Sequence, residues 1–336
     1  MKKVDYKLDT LRVLSMFLVI VIHVANYYCR AFSQISSLSY FGAVIFNAIA
    51  RVSVPIFFMI SGALLLSKEY DEKKNFQRIK KMIITLTIFT IVYLLWDKFY
   101  MHKEFTNYIG LLTSPERSML WFMYAIIAIY IALPFIKCMT DNMNEKLDKS
   151  FIVLWMLFNG VVYLLNLFVD LDVKYLVPIL SGTYYLGYFI AGYLIYKYKD
   201  VIASKKNNIL WIIVLVLSLT ATIGFTYVRS LDFNRYYDNF LAYRSIFVIL
   251  SSLSIFLLIY FNLPNKKIKL VSFVSPYSFG VYLVHGIILN FLMEDILSYI
   301  KINSFIGIPI CVIILSIFSV IVVALLKKVP VLKKYI

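Results

Sequence analysis

Two ionisable residues interrupt the first long apolar stretch of the chain, LRVLSMFLVIVIHVANYYC at 11–29: Arg12 and His23. On an α-helix the eleven steps between them make three turns plus about 20°, so both side chains leave one face, roughly 16 Å apart along the axis. Ser15 and Asn26 fall within about 60° of that line. The helix therefore carries a polar stripe on an otherwise apolar cylinder. An imidazole titrates near neutrality and can take and return a proton. Arg12 keeps its charge and offers it to an anion. The plainer alternative is a buried histidine bonded to a neighbouring helix, with Arg12 as a snorkelling anchor.

The elements that must position these groups are membrane helices. The chain has 336 residues, of which 62% are hydrophobic and only 15% charged. A soluble domain is nearer half apolar and a quarter charged. We expect an all-α integral membrane protein with ten transmembrane helices: 11–29, 41–66, 79–97, 118–137, 150–169, 178–196, 208–228, 241–262, 270–294 and 304–327. The second and ninth exceed the usual ~20 residues and are expected to tilt or kink. The first run is of full span length, lacks a small-x-small cleavage site and is read as retained. The remaining residues form short loops, so residues 1–336 are expected to be a single membrane-embedded domain with no separate soluble domain.

Placing both termini in the cytoplasm puts 24 Lys and Arg residues in the inner segments and 8 in the outer loops. This excess on the inner side supports both the span number and the topology. Membrane orientation thus explains the formal charge of +16 without nucleic acid as a partner. Cys29, Cys138 and Cys311 show neither a disulfide framework nor metal spacing, and no metal is expected. No internal repeat is evident, which argues against a transporter built from inverted halves.

Further polar groups sit within the apolar runs. In RVSVPIFFMISG, residues 51–62, Arg51 lies mid-span, Pro55 is placed to kink the helix, and Ser61–Gly62 permits close helix approach. A mid-span arginine needs a partner or a water-filled cavity. The following loop carries Arg78 and Lys81 on one helix face. Those two read as an anion grip or as a positive-inside cluster touching lipid headgroups. Trp121 opens the fourth span, where an outer aromatic belt is the simpler explanation. In the ninth span Ser278 and His285 are seven apart and share a face. His23 and His285 are expected at similar depth, with a satisfied core histidine as the alternative for His285.

These stretches resemble the membrane acyltransferase-3 family. The resemblance rests on Arg12-x10-His23, on Arg51–Gly62, and on the run Ser278, Phe279, Gly280, Tyr282, Leu283 and His285. It extends to a Leu–Trp–aromatic motif at Trp121 and to Arg78-x-x-Lys81, where the family often has two arginines. Lys81 keeps the charge but loses the planar fork that grips phosphate bidentately. The resemblance implies O-acyl transfer, usually of acetyl, from cytoplasmic acetyl-CoA to a hydroxyl of a surface polysaccharide or lipid-linked glycan. The setting would be a bacterial plasma membrane. His23 would be the catalytic base or hold the acyl group briefly, and Arg12 would orient the donor. Arg78 and Lys81 would bind donor phosphates. His285, Tyr282, Arg51 and Trp121 are candidates for the oxyanion or acceptor site. Many family members carry an outer hydrolase-like domain; none is read here, so the chain acylates its acceptor itself or through a separate protein. A small-molecule or glycan-precursor transporter using the Arg12–His23 stripe is the rival reading, and a membrane sensor of the same fold is another. Neither the glycan, nor the choice of acetyl over succinyl, nor the oligomeric state is legible in the sequence.

The topology has a direct check. A Lys73→Cys single-cysteine variant in intact cells should resist a membrane-impermeant thiol reagent and react only after permeabilisation; labelling from outside would reverse the orientation.

Overall fold

The computed structural model describes residues 5–103, 105, 109–115, 118–169, 184–292 and 302–336. Every regular element among them is helical. Among the described residues nine segments are long and apolar enough to cross a bilayer. The sixth expected span, 178–196, corresponds to the shorter helix Tyr184–Lys197, and its start, 178–183, lies outside the described residues, as do 293–294 at the end of the ninth.

The described residues gather into two compact units. Among the described residues the first comprises 5–67, 143–169, 184–276 and 302–314; the second comprises 68–103, 105, 109–115, 118–142, 277–292 and 315–336. Within the first, α1 (Tyr6–Arg30) packs against α2 (Ser37–Ala50), α3 (Ser53–Leu65), α11 (Ile246–Asn262) and α12 (Lys269–Val274). Asp5 caps its start, accepting from the Lys7 amide at 3.1 Å, and Arg30 in the last turn suits the helix dipole.

The expected second span is two helices. Its ladder stops at Arg51–Val52 and restarts at Ser53. Pro55 explains the break: it has no N–H for the Arg51 carbonyl four residues back, and its ring crowds that turn. The polar residue thus stands where the backbone is interrupted.

α3 then locks onto α8 (Tyr184–Lys197). A Cβ added at Gly62 would meet the Phe189 carbonyl oxygen at 1.7 Å, and one at Gly192 the Met59 carbonyl oxygen at 2.0 Å. The two backbones touch through reciprocal glycines, as Ser61–Gly62 led us to expect for the α3 side. Gly187 receives the Trp155 indole in the same way. Trp155 ends α6 (Glu145–Trp155), which passes through a π-helical turn, Met156–Val161, into α7 (Val162–Val169). The Lys197 ammonium and Tyr198 hydroxyl both donate to the buried Asp148 carboxylate, each at 2.7 Å. Burial works against the Lys197 charge, but that carboxylate more than offsets it and raises the lysine pKa.

α10 (Asn208–Asp232) shows the environment most plainly. Ile209, Ile213, Val216 and Leu217 are exposed, whereas Ser218, Thr222, Thr226 and Ser230 are buried at four-residue spacing. Apolar side chains outside and small hydroxyls inside invert the soluble pattern and suit lipid. Thr222 and Ser230 satisfy their hydroxyls on carbonyls one turn back.

The second unit holds α4 (Glu72–Phe99), α5 (Trp121–Asp141), α13 (Ser278–Phe291), the later half of α14 (Ser304–Leu326) and α15 (Pro330–Lys333). Asp71 caps α4, taking the Lys74 amide at 3.0 Å and its ammonium at 2.6 Å, which holds its carboxyl below the usual range. The Tyr93 hydroxyl donates to the Leu283 carbonyl at 3.0 Å. The Thr85 hydroxyl reaches the Tyr335 carbonyl at 3.1 Å.

The glycine contacts set a measurable expectation. Gly62→Ala and Gly192→Ala should each lower stability by about 1–3 kcal/mol through overpacking, read as a lower unfolding midpoint in detergent. Gly224→Ala on α10 is the control: nothing lies within 4 Å of its added Cβ, and stability should hold.

Candidate active site

The stripe on α1 behaves as its cost demands. None of its members is classed as exposed: Ser15 is fully buried, and Arg12, His23 and Asn26 are half-buried. Arg12 is bound at its base. Its Nη1 donates to Asp9 one turn back and to the Ser275 hydroxyl at 3.2 Å, and Ser275 donates to Asp9 at 3.0 Å. The acidic member of this triangle, Asp9, is a residue our sequence reading passed over. Its signal was available: a carboxylate three positions before an arginine on one helix face.

Three residues beyond His23, Asn26 enters a second polar cluster. The Asn47 amide donates to Asn26 Oδ1 at 2.7 Å, to the Tyr236 hydroxyl at 3.1 Å and to Cys29 Sγ at 3.6 Å. Tyr236 in turn donates to Asn26 Oδ1 at 3.2 Å. Burial, with the nearby Cys29 thiol adding to it, pushes the Tyr236 phenol well above its ordinary pKa, so it remains a neutral donor. One turn past Asn47, the Arg51 guanidinium lies 5.8 Å from the centre of the Tyr243 ring. Tyr236 and Tyr243 both come from the segment between α10 and α11, where the sequence reading put Tyr236 in an outer loop and Tyr243 at the start of the eighth span. Asn47 and these tyrosines were missed because neither their types nor their spacing is distinctive.

The second unit holds the other sequence candidates. Arg78 is half-buried on α4, in electrostatic reach of Tyr130, while Lys80 and Lys81 are exposed. The structure adds a cation from far along the chain: Lys327 stands 4.7 Å from the Tyr277 ring centre. Burial lowers its ammonium pKa, and the charge of Lys81 lowers it further. The two like charges therefore repel each other. Trp121 is half-buried at the first turn of α5. The Tyr282 hydroxyl donates to the Met119 carbonyl at 2.7 Å. His285 is fully buried, with Nδ1 at 2.6 Å from the Tyr282 carbonyl. A carbonyl can only accept, so Nδ1 carries the proton in that contact.

The sequence candidates therefore divide into two sets. Arg12, His23 and Arg51 belong to the first unit; Arg78, Lys81, Trp121, Tyr282 and His285 belong to the second.

Nine apolar helices of bilayer length among the described residues define a multi-pass membrane protein. The profile of the acyltransferase-3 family, described as an acyltransferase domain, matches residues 5–328, nearly the whole chain. The chain belongs to that family and is a membrane acyltransferase domain. No curated protein and no solved structure matches it.

The asparagine cluster makes its own prediction. Asn47→Leu strips donors from Asn26 and Tyr236 at once and should cost about 1–3 kcal/mol. Tyr236→Phe loses one hydroxyl and should cost about 1 kcal/mol. Thermal unfolding of both variants in one detergent checks the order.

Proposed function

We propose that this chain is an O-acyltransferase moving an acetyl group from cytoplasmic acetyl-CoA to a hydroxyl of a surface polysaccharide or lipid-linked glycan. We place it in a bacterial plasma membrane, as one membrane-embedded domain of ten spans with both termini inside. The observation that carries this reading is His23, half-buried on the polar face of α1 inside a chain of acyltransferase ancestry.

Its chemistry follows from the residue types. His23 takes the proton of the acceptor hydroxyl as that oxygen bonds to the acyl carbon. The carbon–sulfur bond then breaks, and the CoA thiolate recovers the proton from the imidazolium. Arg12, fixed by Asp9 and Ser275, orients charged parts of the donor and moves no proton. Arg78 and Lys81 bind donor phosphates, and Lys327 adds a third cation to that group. For the oxyanion or acceptor site Arg51 is preferred. Tyr282 already donates to a carbonyl and His285 is fully buried, so these two and Trp121 stand second.

Acyl transfer from acetyl-CoA in reconstituted liposomes tests the assignment. His23→Gln keeps a hydrogen-bonding shape and should lose about 10²–10⁴-fold in turnover, together with the acidic limb of the pH–rate profile. Arg78→Glu and Lys81→Glu should raise the acetyl-CoA requirement or abolish activity, with Lys80→Glu milder. A folded His23→Gln protein at near-wild-type rate would remove His23 from the chemistry, and absence of any CoA thioester consumption would remove the enzyme.

A further inference from the structure

The first unit holds its cations in two ways. Arg12 is paired with Asp9, and Lys197 with Asp148. Arg51 has no such partner: among the described residues no carboxylate lies within ion-pair distance of it, although Asp238 is near enough to feel its charge. Its Nε is buried and has no hydrogen-bond partner among those residues. The Tyr243 ring face and hydroxyl are what stand against the guanidinium. A charge that cannot be shed, held mid-span and without a counter-charge, is costly at rest. A transition-state oxyanion exists too briefly to offset that cost in the resting protein. A ground-state anion does offset it.

One turn back on the same helix, fully buried Asn47 supplies the complementary vacancy. Its amide nitrogen is used three times, yet its Oδ1 is buried with no donor directed to it. An orphaned donor on a cation and an orphaned acceptor thus belong to residues four apart on one helix, about 6 Å along its axis. A ligand that presents an anionic oxygen to Arg51 and a hydroxyl to Asn47 satisfies both. Asn26, which closes the cluster, is one turn from His23 on α1.

We propose that Arg51 and Asn47, with Asn26 and Tyr236 around them, form an anion-and-hydroxyl subsite beside His23, and that the acyl acceptor is an acidic sugar unit carrying a carboxylate or phosphate near its hydroxyls. The acceptor assignment rests on the acyl-transfer reading above; the subsite itself does not.

The test is binding rather than turnover. Full-length protein in lipid nanodiscs is titrated with methyl β-D-glucuronide, glycerol 3-phosphate, methyl β-D-glucoside and sodium sulfate, and the unfolding midpoint is followed. A ligand that binds only the folded state raises that midpoint with its concentration. Glucuronide or glycerol 3-phosphate should raise it saturably; whichever is stronger identifies carboxylate or phosphate. The neutral glucoside and sulfate, each supplying half of the match, should bind at least tenfold more weakly. Arg51→Gln should abolish the shift and Arg51→Lys should retain part of it. Asn47→Asp places a carboxylate one turn from Arg51 and should weaken the charged probes at least tenfold, which covers the case in which Arg51→Gln does not fold. No shift with either acidic probe, an equal shift with the glucoside, or a shift undiminished in these variants overturns the proposal. Glucuronide binding without any acyl transfer from acetyl-CoA would instead leave the subsite standing and remove the transferase reading.

Discussion

An arginine inside a bilayer constrains everything near it. Arg51 stays charged at any pH the cell meets, and hydrocarbon offers it nothing. The surrounding structure reads as a response to that fact. Pro55 interrupts the helix at Arg51, so the guanidinium leaves from a broken turn rather than from a continuous apolar cylinder. The segment between α10 and α11 turns inward to bring Tyr236 and Tyr243 to the same place. α1 contributes Asn26, and α2 contributes Asn47. Three separate parts of the chain thus supply polar atoms to one region, and each would carry a cost without the others.

Two other charged groups of the first unit are paired. Asp148 takes a lysine and a tyrosine, and Arg12, Asp9 and Ser275 satisfy one another. Such paired networks hold helices together. The first unit therefore combines cations paired with carboxylates, Arg12 and Lys197, with a mid-span arginine that has no carboxylate at ion-pair distance among the described residues.

Much of this was legible in the sequence, and the reasons are physical. Membrane spans announce themselves because lipid demands about twenty apolar residues whatever the fold. The stripe on α1 was visible because helical periodicity is local arithmetic, and its inward orientation follows from the cost of exposing Arg12 and His23 to lipid. The kink at Pro55 and the close approach at Gly62 belong to residues whose backbone chemistry is nearly independent of context. What escaped was long-range pairing. Nothing local in NRYYDNF marks Tyr236 as the partner of Asn26, 210 positions away. Lys327 looked like one more positive-inside residue until the fold set it against Lys81. Asp9 was missed for a different reason: attention went to the basic and titratable members of the stripe rather than to the acid that holds one of them.

The reciprocal glycines of α3 and α8 carry a mechanical consequence. Backbone pressed on backbone leaves no side chains to slide or re-rotamerise, so neither helix can roll or shift lengthwise past the other without a clash of main-chain atoms. The pair acts as a fulcrum. Arg51 lies just ahead of the fixed α3, beyond a break in the ladder, and so sits at a pivot rather than on a rigid rod. Any rearrangement that admits or releases a ligand at that residue must then bend α2 and the tyrosine-bearing segment, while α3 and α8 stay where they are.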